Sequence, residues 1–186
     1  MFRSFSAIYV VGSALGDPRS IYAWRPADLD ITVVASYRVS PYLVFGSHVS
    51  IFIVPHPSTA SGLLPTPLWY RFSPLSTLLF LAEPRLLIHG FPIEPYLRPV
   101  SDLLRLAIDD LPLWIEEKLE AYTYWKEHSK TRNAAKALAR AIWGTIVVKE
   151  NKLITIRKAL HLANECGLCL ETVLNYEKPS IHAIED

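Results

Sequence analysis

Apolar positions follow two different rhythms along the 186-residue chain, and the change falls near Pro99. Before it, short runs rich in Ile, Val, Phe and Leu are bounded by Gly, Pro and Ser. These runs, at about 6–11, 29–35, 48–54 and 85–89, predict β-strands. The Pro-rich stretch from Pro55 to Pro74 predicts a loop with short spells of order at best. After Pro99 the spacing turns helical. Ser101 predicts the cap of a helix reaching Asp109, and Asp110 followed by Pro112 predicts the start of another reaching about His128. A third is predicted over Thr131 to Val148, with Ala135, Leu138, Ala139, Ile142 and Ile146 on its apolar face. Thr155 predicts the cap of a fourth helix ending near Cys166, and Leu168 to Tyr176 allows a last one.

The pattern therefore predicts an α+β protein, with a small mixed β-sheet domain over 1–99 and a helical bundle over 100–186. Composition sharpens the division. Residues 1–100 carry 12 of the 14 Pro, seven Arg, five acidic residues and no Lys. A 51% hydrophobic content is enough for a packed core and argues against disorder. The formal charge of +1 gives no global field that would favour nucleic acid, and no apolar run approaches the length of a membrane span. The apolar start of the chain reads as a core strand, not a signal peptide, so the expected location is the cytoplasm. Gln is absent, Met occurs once and Pro is plentiful, a composition that points toward a thermophilic source.

Candidate chemistry concentrates in Ile8 to Val34. An apolar strand runs into Gly12-Ser13, and a loop then leads to Asp28-Leu29-Asp30 at the start of the next strand. Residues two apart in a strand share a face, so Asp28 and Asp30 direct two carboxylates at one spot. Hard oxygen ligands beside a turn rich in backbone N–H groups suit a magnesium–nucleotide complex. Arg19 and Arg25, in the intervening loop, are candidates to grip phosphate.

This arrangement resembles the nucleotidyltransferase superfamily that includes DNA polymerase beta, whose signature is strand, Gly-Ser, loop and Asp-x-Asp. Further along, LLFLAEPRLLIHGFPI is similar to the helix-to-strand segment of small nucleotidyltransferases and aminoglycoside adenylyltransferases. AKALARAIWGTIVVKENKLITIRKALHLANE is similar to the helical domain of streptomycin/spectinomycin adenylyltransferases. The resemblance implies transfer of a nucleoside monophosphate from ATP or another NTP to a hydroxyl acceptor, with Mg2+ as cofactor. Gly12 and Ser13 would hold phosphate, Asp28 and Asp30 would hold metal, and the site would lie in the cleft between the two domains.

The chain departs from the family where a third carboxylate is expected. No Asp or Glu occurs between Asp30 and Glu83, and Ser50 falls at the expected position. His48, two residues earlier, is the candidate base; Glu83 is an alternative acid from the following element. Ile156 stands where a Lys often follows the cap residue in the adenylyltransferases. The alternative is a degenerate relative serving as a nucleotide- or protein-binding module, antitoxin-like or regulatory, with a protein partner or a homodimer. Arg132, Lys136 and Arg140 form a basic stripe at helical spacing that reads as a solvated face or a phosphate contact. Cys166 and Cys169 lack the further cysteines of a zinc site and read as buried helix-end thiols or a local disulfide.

Overall fold

A five-stranded mixed sheet organises the first half of the protein, and helices make up the described part of the second. The computed structural model describes residues 5–11, 15, 29–35, 42–45, 49–56 and 73–165. The chain divides into two units, Met1–Pro99 and Val100–Asp186. In the first, β1 (Phe5–Val11), β2 (Leu29–Ala35), β3 (Tyr42–Phe45), β4 (Val49–Pro55) and β5 (Arg85–Gly90) lie in the order β3-β4-β2-β1-β5. Only the β2–β4 pair is parallel among the four pairings of the sheet. β3 is an addition to the predicted strands: Pro41 and the short apolar run Tyr42–Phe45 disguise it, and it pairs with β4 as a hairpin partner.

Alternation along β1 sends Ala7, Tyr9 and Val11 to one face, where they pack with Val34, Val54, Leu87 and Ile93. That face is covered by α1 (Pro74–Ala82), whose Phe80 meets the Tyr9 ring edge-on at 5.4 Å. Ser73 caps α1 by accepting from the Ser76 N–H at 3.1 Å, and Pro74 at the first position loses no helical bond. β5 ends at Gly90, where φ is +86° and a Cβ would stand 2.0 Å from the Ser6 carbonyl oxygen. That close approach lets the Phe91 N–H bond Ser6, and only glycine permits it.

The second unit contains α2 (Val100–Glu127), α3 (Thr131–Glu150) and α4 (Ile156–Glu165). The predicted break at Asp109–Asp110 does not occur; a single 28-residue helix runs through Pro112. Pro112 removes one N–H bond to the carbonyl of Ile108, a residue 60% exposed at the solvent side of the helix. Leu103, Leu104 and Ala107 before Pro112 and Trp114 after it are buried, so packing on both sides holds the helix continuous. Ser101 accordingly lies within the helix and does not cap it.

α3 is buried on more than one side. Ala134, Ala137, Ala139, Ala141, Trp143, Ile146 and Val147 are buried, whereas the predicted core positions Ala135, Leu138 and Ile142 are half-buried. Both α2 and α4 pack against it, and its small residues let them approach. At Gly144 the approach is extreme: a Cβ there would lie 2.6 Å from Trp114 Nε1. Trp114 donates to the Arg140 carbonyl at 2.9 Å, and Trp143 donates to the Ile154 carbonyl at 2.8 Å, so both buried indoles are satisfied. Asn151 closes α3 in the left-handed region at φ 47°, its N–H directed to Val147 and Val148. Thr155 caps α4, accepting from the Lys158 N–H at 3.3 Å, as predicted. Among the described residues, no helix is long and apolar enough to cross a membrane.

Candidate functional site

Strand register brings the described part of the candidate site into one row. Asp30 on β2 is the register partner of Val11 on β1 and of Ser50 on β4. Val11 in turn pairs with Arg85 on β5, and Ser50 with Phe45 on β3. The row Phe45–Ser50–Asp30–Val11–Arg85 crosses the whole sheet at the end where β1 leads into Gly12-Ser13. Asp30 is half-buried. Gly12, Ser13, Arg19, Arg25, Asp28 and His48 lie outside the described residues, as do Cys166 and Cys169.

Glu83 belongs to the same end of the sheet, two residues before Arg85. It is half-buried and terminates α1, its N–H bonding the Leu79 carbonyl at 2.9 Å. Arg85 stands two strand spacings from Asp30, about 10 Å in the hydrogen-bonding direction. Among the described residues, no group of three or more His, Cys, Asp or Glu gathers as a metal site would require.

A polar cluster behind this row was not anticipated from the sequence. The Tyr9 hydroxyl accepts from the Ile93 N–H at 2.8 Å and donates to Glu94 Oε2 at 3.0 Å. Arg85 Nε donates to Glu94 Oε1 at 2.8 Å, and its Nη1 donates to the carbonyls of Phe80 and Leu81 at the end of α1. Burial pushes the Glu94 carboxyl up. Hydrogen bonds from Arg85, its own backbone and Tyr9, with the guanidinium charge, outweigh that and hold it below the usual 4.5. Burial raises the Tyr9 hydroxyl above 10; the Ile93 N–H opposes this and the Glu94 carboxylate adds to it. Arg85 thus ties three things together: the last turn of α1, the turn at Glu94–Tyr96, and the strand position paired with Val11. The available signal was the lone Tyr among the aliphatic residues of β1, since a buried Tyr needs a partner for its hydroxyl.

Two residues of the α3 basic stripe have a different setting from the solvated face that their spacing suggests. Lys136 and Arg140 are half-buried. Close to Arg140, Lys118 on α2 lies 4.1 Å from the Trp114 ring centroid and pairs with Glu117 at 2.6 Å. Burial lowers the Lys118 pKa below 10.5 despite the opposing Glu117 charge, and the Arg140 charge adds to the lowering. The Trp114 indole, bonded to the Arg140 carbonyl, joins α2 to α3 at this point. Lys152 and Arg157, on either side of the Thr155 cap, are both exposed.

No protein-family model matches the chain, and a search of curated proteins finds no match.

Proposed function

We propose that this chain is a nucleotidyltransferase-like protein that moves a nucleoside monophosphate from a nucleoside triphosphate to a hydroxyl acceptor. The observation that carries the reading is the pairing of Val11 with Asp30. It joins the residue that precedes Gly12-Ser13 to the second carboxylate of Asp28-Leu29-Asp30, which is the juxtaposition a metal–triphosphate site needs. Asp28 and Asp30 are hard oxygen donors that suit Mg2+, which would supply positive charge to the triphosphate. Gly12 and Ser13 offer backbone N–H groups to the terminal phosphates, with Arg19 and Arg25 as further anion contacts.

In the reaction, the acceptor oxygen attacks the α-phosphorus and forms the new P–O bond. The bond from that phosphorus to the oxygen bridging toward the β-phosphate breaks, and pyrophosphate leaves. His48 takes the proton from the attacking hydroxyl. This reading assigns the protein to the cytoplasm, where its substrates are abundant.

A second reading rests on Ser50. The register partner of Asp30 on the parallel strand is a serine, which supplies no charge to a second metal. A protein of this kind would bind nucleotide or a protein partner without transfer.

Pyrophosphate release distinguishes the two. Full-length protein is incubated with each of the four ribonucleoside triphosphates, Mg2+ and a mixture of hydroxyl-bearing acceptors. Release that disappears in Asp30→Ala supports transfer. Nucleotide binding without release supports a nucleotide-binding module, and neither binding nor release contradicts transfer and leaves a protein partner as the ligand of the second reading.

A further inference from the structure

The outward side of α2 carries two parallel strips. Ile108, Pro112, Ile115 and Leu119 recur at spacings of four, three and four, and so form one apolar strip. Ile108 is 60% exposed and Leu119 45%, values unusual for side chains that could have joined a core. Beside this strip, Asp109, Glu116, Glu120 and Glu127 recur at seven, four and seven, and all four are exposed. A shallow depression of about 780 Å³ runs along this side of the helix, lined by residues from Pro112 to Glu127. Two cations share this flank: Arg105 precedes the strips, and Lys126 lies next to Glu127 at their far end.

An apolar strip flanked on one side by like charges specifies its occupant by complementarity. A second helix laid along α2 would bury an apolar stripe of its own against Ile108, Ile115 and Leu119. It would also set Lys or Arg against the carboxylates. We propose that this side of α2 is a docking surface for a basic amphipathic helix from a partner protein. The chain's own residues 166–186 are poorly suited to it, because they carry Glu171, Glu177, Glu185 and Asp186 against a single Lys178. Like charges along such a contact would repel. The inference is independent of nucleotidyl transfer and involves none of the residues assigned to it.

The test uses the full chain and two fluorescein-labelled model peptides. One is a helical Leu/Lys peptide with all its Leu on one face, and the other is the matching Leu/Glu peptide. Fluorescence anisotropy should show the basic peptide binding and the acidic one not binding. Glu116→Lys combined with Glu120→Lys should weaken binding at least tenfold, and Leu119→Asp should do the same. Circular dichroism checks that each variant keeps its helix content; all three substitutions fall on exposed positions, so folding should be retained. No binding of the basic peptide would overturn the proposal. Binding that survives Leu119→Asp would also overturn it, because it would be charge adhesion without docking. Self-association of the chain that is abolished by Leu119→Asp, with no peptide binding, would assign the surface to a second copy instead.

Discussion

Asp30 and Ser50 are partners in parallel register on neighbouring strands β2 and β4. Adjacent strands lie about 4.8 Å apart, so a carboxylate introduced at position 50 would stand beside that of Asp30. If the site holds magnesium–nucleotide, Ser50→Asp completes a three-carboxylate set. The expected outcome is tighter magnesium-dependent nucleotide binding, by about tenfold or roughly 1.4 kcal/mol, measured by calorimetric titration. Unchanged affinity would mean that β4 does not face the nucleotide.

The Tyr9–Glu94–Arg85 cluster makes the first unit sensitive to acid. The Glu94 carboxyl is held below its ordinary 4.5 in the folded state, so its stabilising contribution is present above that value. It is lost as pH falls through the lowered folded-state pKa, because the unfolded chain then binds more protons. Glu94→Gln should therefore flatten the fall in thermal midpoint below pH 4.5 relative to the parent protein. A parallel fall in both would assign the acid sensitivity to other carboxylates.

Tyr9→Phe removes the acceptor of the buried Ile93 N–H. The expected cost is about 1–3 kcal/mol, because the donor is left without a partner. Denaturant unfolding measures it, with Phe80→Leu as a comparison that alters the ring contact and leaves the hydrogen bond in place.

Gly144 sets the distance between α2 and α3. A methyl group there would overlap the Trp114 indole, so Gly144→Ala should destabilise the helical unit by about 1–3 kcal/mol despite alanine's better helix propensity. Asn151→Gly, at the left-handed end of the same helix, should be close to neutral, and Asn151→Val should cost about 1 kcal/mol. Thermal unfolding of the three variants checks the contrast.

Much of this fold was legible because period and punctuation agree. The strands at 6–11, 29–35 and 85–89 combine apolar runs with clear turn residues, and Thr155 caps its helix as its position suggests. What escaped the sequence depends on contacts remote along the chain. Pro112 reads as a helix start, but the buried residues on either side of it hold one helix through it. Tyr42–Phe45 is too short to announce itself and owes its strand to the pairing with β4. At the site, Gly12-Ser13 and Asp28-Leu29-Asp30 were readable as local patterns, whereas Ser50 was singled out by the resemblance and its pairing with Asp30 emerged only in the sheet. The Arg85–Glu94–Tyr9 cluster was not readable, since Tyr9 and Glu94 are 85 residues apart.

The central claim, that Asp30 and the Gly12-Ser13 turn form a magnesium–nucleotide site, is tested most directly by isothermal titration of ATP, GTP, CTP and UTP. Titrations are run with magnesium and with a chelator, on the parent protein and on Asp30→Ala. The account predicts binding of at least one triphosphate that requires magnesium and is abolished in Asp30→Ala, with the thermal midpoint nearly unchanged. Absence of triphosphate binding in the parent protein, or binding that persists unaltered in Asp30→Ala, would contradict it.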